Sequence, residues 1–281
     1  MTTTSSATET FADEWRQWHA EHEKNRADGH GFLAITGLYW LSAEPTTLPD
    51  APGTWITGEN GPVVELGESE SLTVGGERVT GRHEFGPIPE RGGVNAEFDG
   101  GVIEVARRGG RDLLRPRRPD NAFLKEYQGN PAFSPDPAWR VDARFVPWDE
   151  PRAVTVGAAV DDLQHVYDSP GQVEFEIDGE THRLTTFPGH EPGSLFVLFT
   201  DQTSGITTYG ANRSIAIAAP DAAGHTVLDF NRAVNLPCAH TDFATCPLPP
   251  AENRLPIAVE AGEKTPKSRL VGKVTDTGIT L

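Results

Sequence analysis

The chain has 281 residues, enough to bury a large core in one domain or two. Its 29 glycines and 23 prolines favour a turn-rich protein over a helical bundle. A formal net charge of −17, spread along the whole chain, repels nucleic-acid phosphates and anionic lipid, so neither is expected as a partner.

Only five basic residues are lysines, Lys24, Lys125, Lys264, Lys267 and Lys273. A carboxylate-rich, lysine-poor surface is what a high-salt cytoplasm favours, so a halophilic source is expected, although a GC-rich genome gives the same arginine bias. No apolar run is long enough to span a membrane. The opening MTTTSSATETFADEW has neither a basic nor an apolar stretch of the secretory type, so the expected location is cytoplasmic. In that compartment Cys238 and Cys246 read as thiols or metal ligands before a disulfide.

In chain order, residues 1–10 are expected to be a disordered tail. A helix follows, with Phe11, Trp15 and Trp18 at helical spacing and Asp28-Gly29-His30-Gly31 as its stop. GFLAITGLYWL, from Gly31 to Leu41, reads as a buried strand or turn with Tyr39 and Trp40 as core anchors. From Gly53 to Val105, hairpins are expected at Asn60-Gly61, Gly75-Gly76 and Gly100-Gly101. Six arginines then cluster between Arg107 and Arg118; they either form an anion site or pair with neighbouring carboxylates. Residues 129–151 form a proline-rich passage whose Phe133, Trp139, Phe145 and Trp148 would cap a core. A second strand-rich block follows, with a hairpin at Asp178-Gly179. The histidines His165, His182, His190 and His225 read as solvated loop residues. The expected fold is mainly β, an antiparallel barrel or sandwich with an N-terminal helix and a long ordered C-terminal loop. Domains are expected at 11–150 and 151–281, or as one continuous domain.

The run TDQTSGITTYGANRSI, from Thr200 to Ile215, carries one set of motifs. LDFNRAVNLPCAHTDFATCPLPPAENRLPIAVEAGEK, from Leu228 to Lys264, carries the next. Together they resemble the DUF1684 family, a bacterial and archaeal group of unknown function, most specifically over residues 195–264. Asn212, Val234 and Leu236 stand where the family pattern has glycine, tyrosine and proline. The resemblance implies no activity.

The residues themselves leave several readings open. Asp201, Tyr209, Arg213, Asp229, Asn231, Arg232, Asn253, Glu260 and Glu263 could converge on a polar pocket for a small anionic ligand. Arg213 or Arg232 would then be the anion clamp, and the carboxylates bases or metal ligands. In an extended strand, Asp229, Asn231 and Ala233 would share a face. The same polar groups could instead tie down the proline-rich loop by bonding its orphan carbonyls. Cys238, His240 and Cys246 could hold a metal, but C-x-H-x5-C is no standard zinc spacing, and two buried structural thiols or a disulfide fit as well. A metal-assisted hydrolase and a partner-binding scaffold are the alternatives to a ligand-binding β domain. No cofactor, reaction or oligomeric state follows from the sequence.

Overall fold

The computed structural model describes residues 3–281, with side chains from residue 9 onward. It is mainly β. Helix α1 spans Thr3–Arg26, so it takes in most of the stretch expected to be a disordered tail. That stretch holds no glycine or proline, so a helix nucleated further along can propagate through it. The strands in chain order are β1 (Gly37–Trp40), β2 (Thr46–Leu48), β3 (Ala51–Gly58), β4 (Gly61–Glu65), β5 (Leu72–Val74), β6 (Glu77–Val79), β7 (Arg82–Glu84), β8 (Gly93–Phe98), β9 (Gly101–Arg108), β10 (Arg111–Arg117), β11 (Arg140–Gly157), β12 (Gln164–Ile177), β13 (Glu180–Pro188), β14 (Leu195–Phe199), β15 (Arg213–Ile217), β16 (His225–Asp229), β17 (Lys273–Thr275) and β18 (Gly278–Thr280). No helix among the described residues is long and apolar enough to cross a membrane.

The chain forms two compact units. One comprises Lys24–Gln128, Thr241–Thr245 and Leu270–Leu281; the other comprises Met1–Glu23, Gly129–His240 and Cys246–Arg269. β11, the longest strand, runs through residue 150, and a division between the units falls at Gln128/Gly129. β11 pairs with β12 on either side of residue 150, up to Pro147 and again from Arg152, so both halves of the strand belong to one sheet.

The first unit holds an eight-stranded sheet, β17-β18-β1-β10-β9-β8-β5-β6, and a four-stranded sheet, β2-β3-β4-β7. Their apolar faces supply one core, with Trp55 and Val64 from the smaller sheet and Tyr39, Ile103, Val105 and Leu114 from the larger. The Asn60-Gly61, Gly75-Gly76 and Gly100-Gly101 signals all sit at antiparallel hairpins. Five of the six arginines of the cluster pair with carboxylates. Arg108, Arg115 and Arg117 all bond Glu104, Arg107 pairs with Asp112, Arg118 pairs with Asp120, and Arg111 stacks over Trp40. Across the paired strands β9 and β10 most of these side chains lie within reach of one another, which favours the pairing reading.

The second unit holds one six-stranded sheet, β15-β14-β13-β12-β11-β16, antiparallel throughout. Asp178 and Gly179 both adopt positive φ, 54° and 79°, the backbone that a two-residue turn between β12 and β13 requires. Pro147, which has no N–H to give the ladder, marks a register break between β11 and β12. The core gathers Val173, Phe175, Leu184, Val197, Phe199, Ile215 and Leu228 from the sheet, with Phe230, Leu255, Val259 and Ala261 from the C-terminal loop; Trp139 and Phe145 pack at its edge. His165 and His182 are buried on β12 and β13, so they are not solvated loop histidines.

The C-terminal loop is ordered as expected, and it is built from short 3-10 turns at Phe230–Arg232, Pro237–Ala239 and Ala251–Asn253. β16 ends at Asp229, whose side chain caps the first of these turns by accepting from Asn231 N–H. Asp229 and Asn231 are therefore not alternate residues of one strand; the cap bends the chain between them.

Candidate metal centre

The polar residues singled out from sequence divide into buried ties and solvent-facing groups. Arg213 and Asp201 are sealed from solvent, with side chains 1% and 0% exposed, and Arg213 Nη2 lies 2.8 Å from Asp201 Oδ2. Arg213 also donates to the carbonyls of Val259 (3.0 Å), Ala261 and Glu263 (3.4 Å). The other Asp201 oxygen accepts from Thr203 N–H, Thr203 Oγ1 and Val259 N–H. Asn253 bridges Thr185 and Leu198 with both amide atoms. Asn231 clasps Asp136 in the same two-handed way. These four residues hold loop backbone to the sheet and present no free surface to a ligand.

The remaining candidates fall elsewhere. Glu260 is exposed, outside this network. Arg232 is half-exposed, 3.7 Å from Asp229, with its guanidinium 5.2 Å from the Trp18 ring. Tyr209 donates to the Cys238 carbonyl at 2.9 Å. Ser204 Oγ accepts from Asp201 N–H in a turn, a structural use of that hydroxyl. Asn212, one of the departures from the family pattern, is buried and donates to the Pro247 carbonyl at 2.6 Å.

Glu263 is the exception. It is buried, and one of its oxygens accepts from Asn235 N–H at 2.6 Å. Its other oxygen lies 3.7 Å from His22 Nε2 on α1. One helical turn along the same face, His19 Nε2 lies 3.8 Å from Glu23 Oε1, while Glu23 Oε2 accepts from Asn130 N–H at 3.2 Å. His19, Glu23 and Glu263 bring one ligand atom each to within 4.8 Å of one another, the one such group of His, Cys, Asp or Glu among the described residues. Cys238, His240 and Cys246 do not form such a group.

The geometry follows from the helix. Positions 19 and 23 are one turn apart, and 22 is the adjacent neighbour on that face. Trp15 and Trp18 stand one turn before the histidines. Trp15 stacks on His19 at 4.6 Å and 13°, and Trp18 stacks on His22 at 5.4 Å and 14°. Trp15 Nε1 in turn donates to the Asn231 carbonyl at 2.7 Å. Each imidazole is thus held by an indole, and each carboxylate has one oxygen fixed by a backbone amide and the other turned to a histidine. Such outer contacts orient ligands around a metal. Metal–nitrogen and metal–oxygen bonds of about 2.0–2.2 Å place ligand atoms on one ion up to about 4 Å apart, so this cluster closes on an ion with small side-chain shifts.

Gly262 makes the approach of Glu263 possible. Its φ is +75°, and a Cβ there would stand 2.6 Å from the Ala233 carbonyl oxygen. The sequence reading passed over His19 and His22 because it used only the apolar positions of the helix. The available signal was H-x-x-H-E on a helix, which places three ligands of two types, His19, His22 and Glu23, on one side.

A family model described as a protein of unknown function (DUF1684) matches residues 125–264. The solution NMR structure of an uncharacterized protein from Haloarcula marismortui is 35% identical over 50% of this chain and 78% of that one, with a TM-score of 0.42. The chain belongs to the DUF1684 family. No curated protein matches it. The range matched by the DUF1684 model contains Glu263 and the Asp201–Arg213 pair, whereas His19, His22 and Glu23 precede it.

Proposed function

We propose that the protein binds a divalent transition-metal ion through His19, Glu23 and Glu263, with His22 as a fourth ligand, and works as a metal-assisted hydrolase. The observation that carries this reading is the convergence of the three ligand atoms within 4.8 Å on a framework of stacked indoles and backbone amides. Mixed imidazole and carboxylate donors suit zinc, manganese or ferrous iron. His22 is the most open of the four, at 30% side-chain exposure, so water or substrate would reach the ion from its side. An ion there would lower the pKa of a bound water and polarise a substrate oxygen. Arg232, at the Trp18 rim, supplies a cation for an acidic substrate group.

Metal content of untagged protein, followed by calorimetric titration of chelator-treated protein with zinc and manganese, tests the reading. One equivalent is expected, with a rise in unfolding free energy of about 2.7 kcal/mol at a hundredfold excess over Kd. His19→Ala and Glu263→Gln should each weaken binding tenfold or more. Equal metal affinity in wild type and both variants would leave His19 and Glu263 as simple ion-pair partners and sink the proposal. A hydrolase also requires turnover of an ester or phosphate substrate that is lost with the metal.

The working environment we propose is a high-salt cytoplasm, supported by the charge of −17 and the scarcity of lysine. The unfolding midpoint is expected to rise steeply with potassium chloride; a midpoint indifferent to salt would count against it.

A further inference from the structure

We propose that Cys238 and Cys246 form a redox-modification site, a dithiol that closes to a disulfide when oxidised by a hydroperoxide. Both are buried and neither is in a disulfide, and the Cys238 N–H donates to Cys246 Sγ at 3.3 Å. That contact sets Cys246 Sγ directly against Cys238 and brings the two thiol-bearing residues together. Their backbones are pinned on both sides. Tyr209 Oη and Arg269 Nε and Nη2 all donate to the Cys238 carbonyl, at 2.9, 3.2 and 3.1 Å. Ala159 N–H donates to the Cys246 carbonyl at 2.8 Å, and Pro237 and Pro247 restrict the chain beside each cysteine.

Two thiols that only filled space would need neither a shared hydrogen bond nor a cation. Here the hydrogen bond from Cys246, working against burial and aided by the Arg269 charge, holds Cys238 below the usual thiol range. Burial first, then the neighbouring Cys238 sulfur, pushes the Tyr209 hydroxyl up to about 12, so it stays a neutral donor beside the thiolate. The site opens at Cys246, 8% exposed against 1% for Cys238. That opening admits a small oxidant more readily than a protein disulfide.

The chemistry balances with hydrogen peroxide as the named oxidant. The Cys238 thiolate sulfur attacks one peroxide oxygen, the O–O bond breaks, and the departing hydroxide takes a proton to become water. This leaves a sulfenic acid on Cys238. The Cys246 sulfur then attacks the Cys238 sulfur, the S–O bond breaks, and the departing hydroxide takes the Cys246 proton as a second water. The two sulfurs lose two electrons and peroxide gains them. A dithiol reductant reverses the change.

The test treats full-length protein with hydrogen peroxide and follows its mass and its thiol count after denaturation. Wild type is expected to lose about 2 Da and both thiols, and to regain them with dithiothreitol. Cys246→Ser should accumulate a sulfenic acid on Cys238 that a dimedone probe labels several-fold more than wild type. Cys238→Ser should react slowly. Two titratable thiols remaining in peroxide-treated wild type would overturn the proposal, as would over-oxidation to sulfinic acid without a disulfide. Neither result depends on the folding of a variant, and both are independent of metal binding.

Discussion

Arg213→Met is expected to destabilise the unit containing β11–β16 by about 3–5 kcal/mol, the usual cost of breaking a buried ion pair from one side. Arg213 is among the largest fully buried side chains of the protein. Burial lowers its pKa and the Asp201 carboxylate opposes that, so the pair keeps its charge by mutual proximity. Methionine fills much of the volume but leaves Asp201 with an unneutralised charge and strips donors from three loop carbonyls. In urea unfolding the midpoint should drop sharply, while Arg213→Met combined with Asp201→Asn should cost less than the sum of the two single changes. An Arg213→Met midpoint within error of wild type would show that the loop is held some other way. Because these carbonyls flank Glu263, the same change should also weaken metal binding.

Glu104→Gln is expected to cost a similar amount, about 3–5 kcal/mol, in the unit containing β1–β10. Burial works against ionisation of Glu104, but Arg115, Arg117 and Arg108 outweigh it and bring its pKa to about 2. The sign follows from linkage. The folded pKa lies below the ordinary 4.5, so the contribution is complete above pH 4.5 and is lost as pH falls from there towards 2. The contribution so lost amounts to about 3 kcal/mol, at roughly 1.4 kcal/mol per unit. Wild type should therefore lose stability steeply over that window, and Glu104→Gln should be flatter there while weaker at neutral pH. Parallel stability–pH curves for the two proteins would refute this assignment. Glutamine keeps the shape and one acceptor but leaves three guanidinium groups converging on a neutral side chain.

These two residues mark how far the candidate site could be read in advance. The Asp201 and Arg213 motif residues stood out in the sequence, and a ligand clamp and a loop tie were equally open to them. Only burial separates the readings, because an arginine with 1% exposure that bonds three carbonyls has no donor surface left to offer a ligand. The arginine run from Arg107 to Arg118 was similar. Its pairing depends on the register that sets Arg115 opposite Glu104 across β10 and β9, and a one-residue slip would turn those side chains to opposite faces.

Local chemistry was legible from the chain itself. Asn-Gly, Gly-Gly and Asp-Gly pairs mark hairpins because they accept positive φ cheaply. The glycine-rich stop ends α1, and the spaced Trp15 and Trp18 announce a helix. The sequence by itself therefore determined the β class, the helix and the family, all of which rest on short-range backbone preferences and contiguous motifs. The tertiary structure alone decided the boundary between the units and the fate of the charged groups. It also brought Glu263 to His19 and His22, some 240 residues earlier in the chain. Contacts of that separation depend on how the loop is held against the sheet, and neither spacing nor composition encodes that arrangement.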